Sequence, residues 1–132
     1  MDPEGEKLIC KYVKEELGCE FVFLTHYPRR KRPMYTMPLG NEETHSFDLL
    51  FRGLEITTGG KRIHDYDMLI ENIKYKGLIS ENYKNYTDTF KYGMPPHGGL
   101  AIGLERLTCQ FLNIKNVREA CAFPRDRTRL TP

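Results

Sequence analysis

The run His97-Gly98-Gly99-Leu100-Ala101-Ile102-Gly103-Leu104-Glu105-Arg106-Leu107 constrains the fold more than any other part of this chain, because a strand with few side chains enters an amphipathic helix directly. Glycines at 98, 99 and 103 let a flat ligand approach the backbone. Leu104, Leu107 and Phe111 recur at i, i+3 and i+7, which predicts a helix from Gly103 to Leu112 seated on a core. Arg106 lies about 200° around the wheel from Leu104 and so faces away from that core. A glycine floor with one arginine beside it suits a nucleobase or sugar and a phosphate; a packing strand followed by a surface arginine is the plainer alternative. His97, at the mouth of the strand, is a further candidate for ligand contact.

The remaining elements place this strand in a mixed fold. Asp2 as a cap, Pro3 at the first helical position and an acidic first turn predict a helix whose stripe is Leu8, Ile9, Tyr12 and Val13 and whose end is Gly18. Phe21 to Leu24 reads as a buried strand, Arg29 to Pro33 as a basic kinked segment, and Met34 to Met37 as a short strand before a polar loop from Gly40 to His45. Ile63, Tyr66, Ile70 and Ile73 trace a second helix stopped by Gly77. A third runs from a cap at Ser80 through Tyr83, Tyr86 and Phe90 to Gly93, and Ala120 to Phe123 reads as a last strand. This order indicates α+β, with a mainly antiparallel sheet flanked by helices.

From Ser46 to Thr58 the chain alternates on both sides of Arg52-Gly53. A two-residue turn there pairs Phe51 with Leu54, Leu50 with Glu55 and Leu49 with Ile56. In that register Phe47, Leu49, Phe51, Leu54 and Ile56 share one face, and Asp48 and Glu55 are diagonal neighbours on the other. Two carboxylates on one face repel unless a cation lies between them. A magnesium ion bridging nucleotide phosphates meets that need, since it takes a few carboxylates and completes its shell with phosphate oxygen and water. Two solvated acids on an exposed strand face remain the alternative.

Charge and cysteine usage narrow the partners. A net charge of +2 is too near neutral for a global field that attracts nucleic acid, so any nucleic-acid contact must rest on local patches. Arg29-Arg30-Lys31-Arg32 is one candidate for a phosphate backbone, but no aromatic residue interleaves it and a solvated loop is the favoured reading. The cysteines at 10, 19, 109 and 121 show no zinc spacing and read as reduced thiols of a cytoplasmic protein. No apolar run approaches the roughly 20 residues of a membrane span.

The stretch from His97 to Leu107 resembles motif 3 of the class II aminoacyl-tRNA synthetases. Its continuation from Phe123 to Pro132 is similar to the C-terminal end of aspartyl-tRNA synthetases of archaeal and eukaryotic type. Ser46 to Gly59 closely resembles the segment of those enzymes whose acids coordinate magnesium, which implies Asp48 and Glu55 as metal ligands. By the same resemblance Arg62 binds the side-chain carboxylate of aspartate, for which an arginine fork is suited. Thr58 and His97 are then assigned to that pocket. Glu55, Gly98, Gly99, Gly103 and Arg106 are assigned to ATP, with Arg106 on the γ-phosphate as the catalytic cation. Lys61 departs from the family, which usually shows glutamine there.

The resemblance implies an aspartate-tRNA ligase with ATP and Mg2+ as cofactors, aspartate and tRNA as further partners, and a homodimer in the full-length family. Residues 1–132 correspond to the C-terminal portion of the catalytic domain, without motifs 1 and 2 or the anticodon-binding domain. The expectation is that this portion is not competent alone. A truncated paralogue acting as a binding module, or an asparaginyl or asparagine-forming relative, is the alternative.

Overall fold

The structure is a computed structural model and describes residues 2–131. Its helices are α1 (Pro3–Leu17), α2 (Tyr66–Tyr75), α3 (Lys84–Thr87) and α4 (Leu104–Leu112). The strands are β1 (Phe21–Thr25), β2 (Pro38–Leu39), β3 (Glu43–Thr44), β4 (Ser46–Phe51), β5 (Leu54–Arg62) and β6 (His97–Ile102). Four strands form a sheet in the order β1-β4-β5-β6, and β2 pairs antiparallel with β3. The class is α+β with an antiparallel sheet, as the element order requires. Two compact units divide the chain: Met1–Phe23, Asp48–Thr58 and Ala101–Pro132 form the first, and Leu24–Phe47 with Gly59–Leu100 the second.

In the first unit, α1 begins where Asp2 accepts the Gly5 N–H and ends at Gly18 in the left-handed region (φ 65°). The residues it buries are Cys10 and Val13, whereas Leu8 and Tyr12 of the expected stripe are exposed. The β4–β5 hairpin turns on Arg52 (φ 50°) and Gly53 (φ 83°), a left-handed pair that matches the twist of its strands. Arg52 is unusual at such a position, and tertiary bonds hold it. Its Nε and Nη2 donate to Glu20 Oε2 at 3.0 and 2.7 Å, and its Nη1 donates to the Gln110 carbonyl at 2.9 Å. Phe51, fully buried, stacks on Phe21 with centroids 4.2 Å apart and tilts against Phe111 at 5.3 Å.

Several expectations fail here for lack of a covering partner. β1 is not buried: it is an edge strand in which Phe21 and Phe23 are exposed. α4 buries Cys109, while Leu104 and Phe111 of its expected seat are 68% and 62% exposed. Residues 120–123 are not a strand, because Asn116 accepts the Arg118 N–H and starts a 3-10 turn over Val117–Ala120 instead.

The second unit has a closed core of Met37, Ile63, Leu69, Ile73 and Phe90. Asp65 caps α2 through the Met68 N–H, so Ile63 belongs to the entering chain and not to the helix. Met34 to Met37 is not a strand: Tyr35 lies in a turn and only Thr36 makes a bridge, to Arg62, while the strand proper is β2. The expected polar loop Gly40–His45 contains β3, which pairs back on β2. Ser80 is not a helix cap. Residues 80–92 alternate 3-10 turns with the single α-turn of α3, and the segment ends at Gly93 (φ 90°).

Candidate functional site

The carboxylates of the hairpin owe their arrangement to a break in its alternation. The two-residue turn puts Phe51 opposite Leu54. Further along, the Thr58 hydroxyl donates to Asp48 Oδ1 at 2.6 Å, and the Lys61 N–H donates to the His45 carbonyl at 2.8 Å. A Cβ on Gly59 would meet the Phe47 ring, and one on Gly60 would lie 2.8 Å from the His45 carbonyl and 3.1 Å from Ser46. These pairs are offset by one residue from the pairing at the turn. A β-bulge therefore lies between Glu55 and Thr58, where Ile56 and Thr57 are buried in succession. Its effect is to bring Thr58 onto the face of Asp48, where strict alternation would place it on the opposite side.

In the first unit, Asp48 is buried with the Thr58 hydroxyl on its carboxylate. Glu55 is about one-third exposed in its side chain, and Arg106 folds over it: Nη1 donates to the Glu55 carbonyl at 3.0 Å and lies 3.7 Å from Oε1. The start of α4 is pinned to β5 by the Gly103 N–H, which donates to the Ile56 carbonyl at 2.8 Å, so Arg106 emerges within reach of Glu55. Arg106 also lines a pocket of about 300 Å3 with Gly103, Glu105, Arg118 and Arg125. Arg118 is held by Asp126 at 3.1 Å, and turn hydrogen bonds from Thr128, and from the Arg129 N–H, together with Arg118 keep that carboxyl below the usual range.

Asp48 and Glu55 fit magnesium by donor chemistry, since both offer hard carboxylate oxygens. Among the described residues no three His, Cys, Asp or Glu side chains gather as a metal group. The pair thus suits an ion that takes the rest of its shell from water and phosphate, and not a closed protein cage.

A larger concavity of about 520 Å3, lined by Cys10, Lys11, Lys14, Glu20, Arg52 and Asn113, lies in the first unit away from these acids. Its chemistry is internal: Glu20 accepts from Arg52 and from Lys14 (3.0 Å), and these bonds hold its carboxyl below the usual range. Burial raises the Cys10 thiol, which disfavours a reactive thiolate.

The second unit holds Arg62, His97, Gly98 and Gly99. The Arg62 guanidinium packs on the Tyr35 ring, 4.3 Å from its centroid. A Cβ on Gly99 would lie 3.0 Å from Arg62 Nε and Nη2, and one on Gly98 would lie 3.1 Å from the Gly60 carbonyl. These two glycines make room for Arg62 and for the backbone of β5. His97 Nδ1 is 2.9 Å from the Pro95 carbonyl, which makes Nδ1 the donor and leaves Nε2 as acceptor in the neutral ring. Lys61 is exposed.

The basic segment is a packed 3-10 turn over Arg29–Lys31 and not a solvated loop throughout. Arg29 lies over Tyr75 at 4.1 Å and donates to Asn72 Oδ1 at 2.8 Å, and Arg32 lies over Tyr27 at 3.8 Å. Tyr75 comes from α2, which the local sequence conceals, whereas Tyr27 lies only five residues before Arg32. Tyr35, Arg118 and Arg125 were likewise not singled out by sequence pattern. For Arg125 the only signal was its place in the C-terminal segment that resembles the synthetases.

The chain matches the family described as "tRNA synthetases class II (D, K and N)" over residues 1–127 and belongs to it. It is 57% identical over its whole length to the aspartate-tRNA(Asp/Asn) ligase of Thermus thermophilus, of which it spans 31%. Among solved structures it is similar to the aspartyl-tRNA synthetase of Entamoeba histolytica, with 37% identity and a TM-score of 0.94 over all of this chain and 28% of that one. The asparaginyl-tRNA synthetase of the same organism, in complex with asparaginyl-adenylate, gives 34% identity and a TM-score of 0.84 over all of this chain and 30% of that one. The resemblance to aspartyl-tRNA synthetases read from the sequence is borne out. Among the described residues no helix is long and apolar enough to cross a membrane.

Proposed function

We propose that this chain is the C-terminal portion of the catalytic domain of an aspartate-tRNA ligase, acting in the cytoplasm as part of a homodimeric enzyme. In the reaction, a carboxylate oxygen of aspartate attacks the α-phosphorus of ATP. Pyrophosphate leaves, and a ribose hydroxyl of tRNA then takes the aspartyl group from the adenylate with release of AMP. No protein nucleophile is required, because positioning the acid and neutralising phosphate charge account for catalysis.

Arg106 takes the γ-phosphate, exchanging its contact with Glu55 for the anion; its side chain is about half exposed and it shares its pocket with two further arginines. Asp48 and Glu55 hold the magnesium ion, with Thr58 fixing the Asp48 carboxylate. Magnesium supplies charge neutralisation on the phosphates of ATP. Arg62 meets the side-chain carboxylate of aspartate, with Thr58 and His97 contributing to that pocket. Gly98, Gly99 and Gly103 floor the adenosine site. The observation that carries the reading is the Arg106–Glu55 pair, since a cation already held against a candidate metal ligand is placed for the phosphates such a metal would bridge.

The test is Arg106→Ala in the full-length polypeptide. Adenylate formation should fall about 10²–10³-fold, as for loss of one charge-stabilising donor, with the thermal midpoint near wild type. Transfer from preformed adenylate should suffer much less, because the γ-phosphate has gone. Unimpaired adenylate formation would reduce Arg106 to a surface residue and remove the main support.

The similarity to an asparaginyl enzyme favours one rival, an asparagine-specific relative. Arg62 argues for a carboxylate. Arg62→Leu should weaken aspartate binding by about 2–5 kcal/mol, the cost of leaving a buried charge unpaired, with ATP nearly unaffected. Asparagine-dependent exchange exceeding aspartate-dependent exchange in the unmutated enzyme would decide for the rival.

A further inference from the structure

Arg62 carries the burden of specificity in the proposed reading, yet a long flexible arginine discriminates poorly unless its fork is held in one orientation. The second unit supplies that restraint. An antiparallel bridge joins Thr36 to Arg62, the Ile63 N–H donates to the Tyr35 carbonyl at 2.9 Å, and the Met37 N–H donates to the Lys61 carbonyl at 2.9 Å. This pairing fixes the Tyr35 backbone beside the end of β5, and the ring lies on the guanidinium at 4.3 Å. From β6, Gly99 offers bare backbone where a Cβ would stand 3.0 Å from Nε and Nη2. Burial raises the Tyr86 phenol above the usual range, and the Arg62 charge opposes that rise. The Tyr86 ring meets Phe90 of the core edge-on at 5.1 Å.

We propose that Tyr35 and Gly99 are positioning residues for Arg62, holding its guanidinium in one plane so that it presents paired N–H donors to a carboxylate and discriminates against the isosteric carboxamide. The inference rests on the reading of Arg62 as the carboxylate binder. A carboxylate accepts two parallel donors, whereas a carboxamide turns an NH2 toward one of them. A held fork cannot rotate away from that clash, and a loose one can, so selectivity depends on the restraint.

The experiment uses the full-length polypeptide and reads KM for aspartate and for ATP in pyrophosphate exchange, with asparagine as a competitive inhibitor. Tyr35→Leu should raise KM for aspartate about tenfold and narrow the aspartate-to-asparagine preference by a similar factor, while Tyr35→Phe, which keeps the ring, stays within about twofold of wild type. Gly99→Ala, which pushes on the guanidinium, should narrow the aspartate-to-asparagine preference as Tyr35→Leu does, whatever it does to ATP at the adenosine floor. Proportional losses for aspartate and ATP in Tyr35→Leu would make that residue structural and overturn the inference. Should Tyr35→Leu fail to fold, Gly99→Ala decides: unchanged aspartate selectivity overturns the proposal. Arg62→Leu separates the levels. If it raises KM for aspartate and neither positioning variant does, the inference falls and the reading stands; if it leaves aspartate untouched, the reading itself fails.

Discussion

The two units use the same kind of amphipathic helix to different ends. In the second, α2 sinks Leu69 and Ile73 to zero exposure among Met37, Ile63 and Phe90. In the first, α1 and α4 bury Cys10, Val13 and Cys109 and leave Leu8, Tyr12, Leu104, Phe111 and Leu112 in the open. The lesson is that periodicity identifies which side of a helix is apolar, and says nothing of whether another element covers it.

The sharpest break of that contrast is a pair of leucine truncations. Leu69→Ala should cost about 2–5 kcal/mol in urea unfolding, because the closed core cannot collapse around the lost methyls. Leu104→Ala should stay within about 0.5 kcal/mol, as expected of an exposed position. Equal losses would mean that α4 is covered in solution and that the contrast between the units is false.

The strand that leads into the second unit offers the next test. A Cβ at Gly60 would press on the His45 carbonyl at 2.8 Å, a backbone atom that cannot rotate aside. Gly60→Ala should therefore destabilise by about 1–3 kcal/mol, the range for overpacking. A neutral result in thermal melts would show that the strands past the bulge are looser than described.

Helix caps sharpen the comparison at lower energy. Asp65 and Asp2 make the same bond to the third residue on, at 2.8 and 2.7 Å. Asp65→Ala should cost about 1 kcal/mol of global stability, since α2 is part of a closed core. Asp2→Ala should appear instead as faster hydrogen exchange confined to the first turn of α1. A global cost of the same size from both would tie α1 to its unit more firmly than its exposed leucines suggest.

The smallest effect is a pH dependence at Glu20. Its carboxyl is held below the unfolded value by bonds first from Arg52 and then from Lys14. A depressed folded value stabilises above the usual glutamate range, and that contribution is lost as pH falls through the folded value. Glu20→Gln should flatten this acid limb of the stability profile. An unchanged acid limb would show that the clamp on Arg52 does not contribute.

Local chemistry was legible where it acts within a few residues. Asp2-Pro3 and Gly18 bounded α1, Arg52-Gly53 marked the hairpin turn, and Gly98, Gly99 and Gly103 marked a strand entering a helix. The α+β class with an antiparallel sheet followed from the order of the elements. The false strand at residues 120–123 and the false helix cap at Ser80 show the limit of such signals, since short apolar or capping patterns have no partner to confirm them.

The sequence by itself determined the hairpin turn, the two ends of α1 and the apolar sides of the helices, because each depends on dihedral preference, hydrogen bonding or side-chain spacing within one or two turns of chain. Only the tertiary structure decided the bulge that brings Thr58 to Asp48, the reach of Arg106 to Glu55 and the seat of Arg62 on Tyr35. Those contacts join residues 10, 51 and 27 positions apart, so no local preference records them. They form because packing between strands and helices fixes backbone separation to a few tenths of an ångström, and the side chains then meet across a distance that sequence spacing does not encode.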